Sequence, residues 1–453
     1  MDTAATIDRT RLTSLLNDEI ARFARTHPRA AEIHERAKGS LVGGVPMPWM
    51  MLWAGGFPIV AESAQGATIR DVDGHEYVDL CLGDTGAMTG HAPEPVWRAA
   101  GEQLRKGTTM MLPTEDAAAV GEQLRGRFGL PQWLITLSAT DANRHAIRIA
   151  REITERPKVL VYSYCYHGSV DEALAVEVDG RTVAREGNVG APVDVAQTTR
   201  AIEFNDVDAL ERALAHGDVA VVLAEPAMTN IGIVPPADGY HDALRELTRR
   251  HGTLLLIDET HTLSAGPGGC TRAWGLEPDL VTVGKAIAGG VPIGALGLSA
   301  DVVGRMFGRP GADYTDVGGV GGTLAGNALS LAAARASLEE VLTDEAFAHA
   351  TTVATRLREG AEEVIASRGL PWHVVQLGTR AEYRFAPEPA RTGTEAAGQG
   401  DAELERYLHL YALNRGVIIT PFHNMALCSG VTPPEAADRH TEVFAGAVDA
   451  LLA

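Results

Sequence analysis

The chain has 453 residues, 45% apolar and 22% charged, an ordinary globular make-up with room for two or three structural units. Its 39 Lys and Arg against 59 Asp and Glu leave a formal charge of −20, which repels phosphate backbones and anionic lipid and argues against nucleic-acid and membrane partners. Cys81, Cys165, Cys270 and Cys428 form no CxxC pair, so neither a metal site nor a redox pair is expected.

The N-terminus, MDTAATIDRTRLTSLLNDEI, is polar and lacks the segments of a secretion signal, and apolar runs such as 219–224 are only of strand length. The expected address is the cytoplasm. Residues 8–38, rich in Ala, Leu, Arg and Glu, read as one or two surface helices. The stretch 41–58, LVGGVPMPWMMLWAGGFP, is too punctuated by Gly and Pro for a helix and too apolar for a solvated linker. Residues 61–80 alternate on either side of Asp73-Gly74, which predicts a hairpin.

From about 95 to 300, short apolar runs alternate with helical stretches. The runs are 133–137, 158–163, 219–226, 252–259 and 279–285; the helical stretches are 115–127, 141–154, 206–216 and 238–251. Continuous Val/Leu/Ile strands separated by helices predict an α/β domain with a mostly parallel, buried sheet. From about 325, NALSLAAARASLEEVL opens an α+β region with a Gly/Thr/Glu/Ala-rich loop (391–402) and a closing amphipathic helix (434–452).

In such sheets the ligand-binding residues collect at the carboxyl ends of strands. The first run ends in Ser138-Ala139-Thr140-Asp141-Ala142-Asn143, small residues that open a helix and suit either a phosphate or a plain N-cap. After the second comes Tyr164-Cys165-Tyr166-His167-Gly168, where an aromatic either stacks on a planar ring or packs the core. The third ends in Glu225-Pro226. The fourth ends in Asp258-Glu259, where a buried carboxylate needs a cation: a protonated pyridine nitrogen, a salt-bridge partner or a helix start. The fifth runs into Lys285, in a setting that would make a lysine nucleophilic towards aldehydes. Asp258 and Lys285 are 285 − 258 = 27 residues apart, enough for one crossover to a neighbouring strand. GGVGGTLAGN (318–327) is a Gly-rich turn with Thr323 as a possible phosphate ligand, and it lacks the Lys-Ser/Thr ending of a P-loop.

In order and spacing, Ser-Ala-Thr-Asp-Ala-Asn, Tyr-His-Gly, Glu-Pro, Ile-Asp-Glu, Val-Gly-Lys and Gly-Gly-Thr-Leu-Ala-Gly-Asn resemble the class III aminotransferases over roughly residues 40–345. Gly43-Gly44-Val45, Phe204-Asn205-Asp206 and the GTLAGN run resemble most the branch of glutamate-1-semialdehyde aminomutases and β-amino-acid aminotransferases. The resemblance implies an α/β transferase of fold type I. Residues 76–325 would form the large domain that binds pyridoxal 5'-phosphate, and 1–75 with 326–453 a small domain. It implies a homodimer with shared active sites. Lys285 would carry the cofactor as a Schiff base and move protons, and Asp258 would keep the pyridine nitrogen protonated. Tyr166 would stack on the ring beside His167, and Glu225 would lie nearby. Ala139 and Thr140 would bind the phosphate, with Thr323 reaching it from the partner subunit.

Three departures stand out. Ala139 stands where relatives often carry Gly or Ser, a mild change because its backbone amide survives. The usual Asp-Glu-Val-Gln or -Met is here Asp258-Glu259-Thr260-His261. Relatives carry an Arg for a substrate carboxylate shortly after Gly-Gly-Val, whereas this chain reads Pro46-Met47-Pro48-Trp49-Met50-Met51, with no cation before Arg70. The pocket is therefore expected to be apolar on this side, with Trp49 and Trp53 as substrate contacts, or to draw a carboxylate clamp from Arg380, Arg384 or Arg415. The expected function is amino transfer from an amine or amino acid to a 2-oxo acid by a ping-pong cycle. The alternatives are an aminomutase or racemase using the same lysine, or a catalytically silent binding relative.

Overall fold

The computed structural model describes residues 7–190, 193–421 and 423–453, so part of the polar N-terminal stretch lies outside the described residues. The chain divides into two compact units, Glu94–Asp344 with Ala390–Gly398, and Met1–Pro93 with Glu345–Pro389 and Gln399–Ala453.

The larger unit is built on one seven-stranded sheet. Its strands in chain order are β1 (Gln132–Thr136), β2 (Lys158–Tyr162), β3 (Thr199–Ile202), β4 (Val219–Ala224), β5 (Leu254–Asp258), β6 (Leu280–Val283) and β7 (Gly294–Leu298). They lie side by side as β1-β7-β6-β5-β4-β2-β3, and β7 alone runs against the rest. Every residue of β4, β5, β6 and β7 is buried, which is why β4, β5 and β6 read as unbroken apolar runs. β7 escaped the sequence reading because it is GALGL. A Cβ at Gly297 would come within 2.8 Å of the Trp133 ring on β1, so the neighbouring strand's bulk demands glycine where a strand pattern expects a branched side chain. β3, TRAI, was too short and polar to stand out.

The predicted helices form at Glu115–Phe128, Ala139–Thr154, Val207–Ala215 and Tyr240–His251. The run NALSLAAARASLEEVL is a helix, Ala328–Ala336, followed by a π-turn, Ser337–Val341. The loop at 391–402 contains a short helix, Gly393–Ala397, where a Cβ on Gly393 would meet the Ser163 carbonyl oxygen at 2.1 Å.

The smaller unit corrects one expectation. The helices Arg9–Thr26 and Pro28–Ala37 do form, but the first is no mere surface helix, because Leu12, Leu16 and Phe23 are buried along one of its faces. Asp73-Gly74 makes the predicted turn, with Gly74 at φ +89°, between Thr68–Asp71 and Glu76–Asp79. A further strand, Ala61–Gln65, pairs antiparallel with Thr68–Asp71, and Val417–Ile418 pairs parallel with Glu76–Asp79. His27 Nε2 lies 2.8 Å from the Tyr77 hydroxyl, which donates to Asp71 at 2.8 Å, tying the end of the first helix to this sheet. A second sheet comprises His373–Leu377, Arg380–Arg384 and Met425–Leu427. The closing helix, Pro434–Leu452, buries Val443, Phe444, Val448 and Leu451. Stretch 41–58 contributes two 3-10 turns, Val42–Gly44 and Pro48–Leu52. Among the described residues no helix is long and apolar enough to cross a membrane.

This unit also buries several imidazoles. Burial lowers His409, His423 and His440 to about 4 each, and His440, stacked on Phe444, has no hydrogen-bond partner at Nδ1. A base whose folded pKa lies below its unfolded value of about 6.5 binds fewer protons when folded, so its contribution to stability is lost as pH falls from there towards 4. Denaturant unfolding should therefore show the wild type losing stability between about pH 7 and pH 5. His440→Leu should lose about 2 kcal/mol less over that interval.

Candidate active site

The carboxyl ends of β2, β5 and β6 and the helix after β1 hold the residues singled out by sequence. Asp258 closes β5, is 4% exposed, and pairs in register with Thr282 of β6. Its Oδ2 accepts from Asn143 Nδ2 at 2.8 Å and from His167 Nδ1 at 2.9 Å. Its Oδ1 accepts from the Thr260 amide at 3.0 Å and the Thr260 hydroxyl at 2.5 Å. Burial alone would push this carboxyl up; the hydrogen bonds and charge from His167, with Thr260 and Asn143, outweigh it and hold the group at about 2. On the other side of the pair, burial works against a charge on His167, but the Cys165 and Asp258 side chains raise it well above the usual imidazole range. The result is a buried, fixed negative charge with an imidazolium behind it.

Glu259, next along, has another use. It is fully buried, and burial raises its carboxyl despite hydrogen bonds from the Thr262 hydroxyl and the Cys270 and Thr271 amides. A Cβ on Gly269 would sit 2.2 Å from its Oε2, so the loop after β5 closes tightly round this side chain.

Lys285 follows β6 and is half-buried. Its backbone is left-handed at φ +50°, a conformation that costs a non-glycine residue about 1–2 kcal/mol. Its Nζ lies 2.8 Å from His261 Nε2, on the loop after β5.

The helix Ala139–Thr154 is capped by Ser138, whose hydroxyl accepts from the Asp141 amide at 3.2 Å. The N-cap reading of this motif is thus met by Ser138, while Ala139 and Thr140 fill the first turn, where amides have no intrahelical acceptor. Two glycines bring this turn up against its neighbours. At Gly168 (φ +78°) a Cβ would sit 1.9 Å from Thr140 Oγ1, and at Gly294 it would sit 2.3 Å from the Ser138 carbonyl carbon. Close packing there needs glycine.

Tyr166 is half-buried beside buried His167, and buried Glu225 accepts from the Thr229 hydroxyl at 2.5 Å. Thr323 is exposed in the loop before Ala328–Ala336. In the smaller unit, Trp49 is exposed and Trp53 half-buried. Arg380 is wholly buried and donates to Thr85 Oγ1 at 2.8 Å, and Arg384 lies 3.6 Å from Glu382 and 3.9 Å from Glu405. Arg415 pairs with Glu19 at 2.8 Å and lies 3.2 Å above the Tyr411 ring, a structural use. Asn143 and His261 join the site through contacts that the strand-end motifs do not announce. Asn143 sits one helical turn after Thr140, the spacing that carries its amide to Asp258, and that spacing was the available signal.

Together these groups offer a lysine nucleophile, a fixed negative charge for a cationic N–H, and a helix start for an anion. That set suits a molecule with a carbonyl, a basic ring nitrogen and a phosphate. The family model described as "Aminotransferase class-III" matches residues 51–444. A glutamate-1-semialdehyde aminomutase from Pseudomonas aeruginosa PAO1 is 48% identical, with 98% of this chain and 99% of that one covered at a TM-score of 0.96, and a variant of it is solved in complex with PMP. The glutamate-1-semialdehyde 2,1-aminomutase of Methanosphaera stadtmanae is 33% identical over 397 residues, 87% of this chain and 91% of that protein. An omega-transaminase from Sphaerobacter thermophilus is 30% identical, covering 93% and 97% at a TM-score of 0.84. The chain therefore belongs to the class III aminotransferase family of pyridoxal-phosphate-dependent enzymes, in the fold type I architecture.

Proposed function

We propose that this enzyme is a pyridoxal-phosphate-dependent aminomutase, moving an amino group between adjacent carbons of a small substrate such as glutamate-1-semialdehyde. The observation that carries the reading is the 48% identity, over nearly the whole of both chains, to the aminomutase of Pseudomonas aeruginosa. Transamination, which the sequence placed first, becomes the second reading. It draws on the likeness to the omega-transaminase and on the loop from Pro46 to Trp53, which has no cation to hold a substrate carboxylate.

The bound cofactor supplies an electron sink for a carbanion at the amino-bearing carbon. The chain's own groups do the rest in either reading. Ala139 and Thr140 offer first-turn amides and a hydroxyl to the phosphate. Asp258, ionised and oriented by His167, Asn143 and Thr260, would hold a proton on the ring nitrogen. Tyr166 would cover a ring face, with Glu225 nearby. Lys285 would hold the cofactor through Nζ at its carbonyl carbon and would serve as the base that moves the proton at the reacting carbons. An aminomutase differs from an aminotransferase in keeping its amino-bearing partner until both transfers are complete.

A homodimer, with Thr323 reaching the partner's phosphate, accounts for the apolar side chains left exposed at Met110, Met111, Leu112, Val317 and Leu324. A cytoplasmic setting suits four buried cysteines with no disulfide among them.

Three measurements test these assignments. Purified wild type should show a near-visible band that a borohydride quench fixes covalently, and Lys285→Ala should bind the cofactor with no such fixation; equal fixation in the variant sinks the lysine. Asp258→Asn should lower kcat by about 10²- to 10³-fold, the scale for removing one preorganised charge partner; an unchanged kcat removes Asp258 from the ring nitrogen. Supplied with glutamate-1-semialdehyde alone, the enzyme should yield the rearranged amino acid with no net loss of amino groups. Turnover only with added pyruvate, one alanine per event, would replace the aminomutase reading with transamination.

A further inference from the structure

The most unusual contact at the site is the 2.8 Å approach of Lys285 Nζ to His261 Nε2. An ammonium group donates three hydrogen bonds and accepts none, so a charged Lys285 requires the lone pair of His261 Nε2. The imidazole proton then sits on Nδ1. A second positive charge at this distance would repel the first, so the contact is made with one of the two groups neutral. The two carboxylates just before His261 in the chain are committed elsewhere: Asp258 is ionised and paired with His167, and Glu259 accepts from the Cys270 and Thr271 amides. A Gln or Met at this position could hydrogen-bond or pack, but neither takes a proton near neutral pH.

We propose that His261 is the proton acceptor for Lys285. A proton leaves the ammonium Nζ, whose N–H electron pair stays on nitrogen, and bonds to the lone pair of Nε2. The charge moves to the imidazole, and Nζ is left as a neutral nucleophile for a carbonyl carbon. When the lysine is released, the imidazolium returns the proton. The step balances without any other reactant. It rests on the reading of Lys285 as the lysine that captures the cofactor.

The test follows that capture directly. Full-length chain freed of cofactor is mixed with pyridoxal phosphate, and growth of the near-visible band is timed from about pH 6 to pH 9, bracketing the imidazole range. His261→Gln, which keeps a hydrogen-bonding side chain, should capture about 100-fold more slowly near pH 7. Its rate should approach that of the wild type as pH rises, and both should end at the same amplitude. Coincident rates and pH dependence overturn the proposal. A wild type that binds the cofactor and never forms the band overturns the Lys285 reading, and this proposal with it, so the two failures are distinct. If His261→Gln does not fold, nitrogen-15 NMR decides. In the wild type Nε2 should be the unprotonated ring nitrogen at neutral pH. The His261 titration midpoint should rise by about one pH unit or more when Lys285→Gln removes the adjacent charge. A protonated Nε2, or a midpoint that stays put, overturns the proposal.

Discussion

The site is organised around one buried charge. Asp258 sits where β5 ends, in surroundings that would neutralise an isolated carboxyl, yet four hydrogen bonds and an imidazolium keep it ionised. Those partners come from the helix after β1, the loop after β2 and the residues just beyond β5. One carboxylate therefore fixes the relative positions of three separate chain segments. A charge held this way needs no reorganisation when a cation arrives, which is the condition for electrostatic stabilisation in a low-dielectric site.

Much of this was legible in the sequence, for a plain physical reason. Strands buried on both faces must be apolar throughout, so β2, β4, β5 and β6 announced themselves, and a polar residue at the end of such a run marks where the sheet opens to ligand. What stayed hidden depended on neighbours distant in the chain. Gly297 in β7 answers to Trp133, and Gly294 to the Ser138 carbonyl; neither requirement is visible from the residues on either side. The helix Arg9–Thr26 reads as surface because Arg11, Asp18, Arg22 and Arg25 line one face, while the opposite face carries Leu12, Leu16 and Phe23 inward.

The site residues divide in the same way. Asp258 and Lys285 were chosen from local context, since a lone charge after an apolar run demands a partner. Asn143, Thr260 and His261 act through contacts that only folding creates. Arg415 illustrates the opposite case, a cation that local context left open and that folding commits to Glu19 and Tyr411. In this chain the charged groups were easier to find than the neutral ones that orient them.

The antiparallel strand β7 carries a consequence for how the chain is made. β1 has no neighbour in the sheet except β7, and the two are separated by 294 − 136 = 158 positions. A nascent chain emerging from the ribosome can pair β3, β4, β5 and β6 in turn, because each finds its neighbour among segments already synthesised. β1, first out of all seven, waits as an unpaired edge until the last has emerged. The helix that begins at Ala139, packed through Ser138 against Gly294, waits with it. The start of that helix is therefore the last part of this sheet to become native.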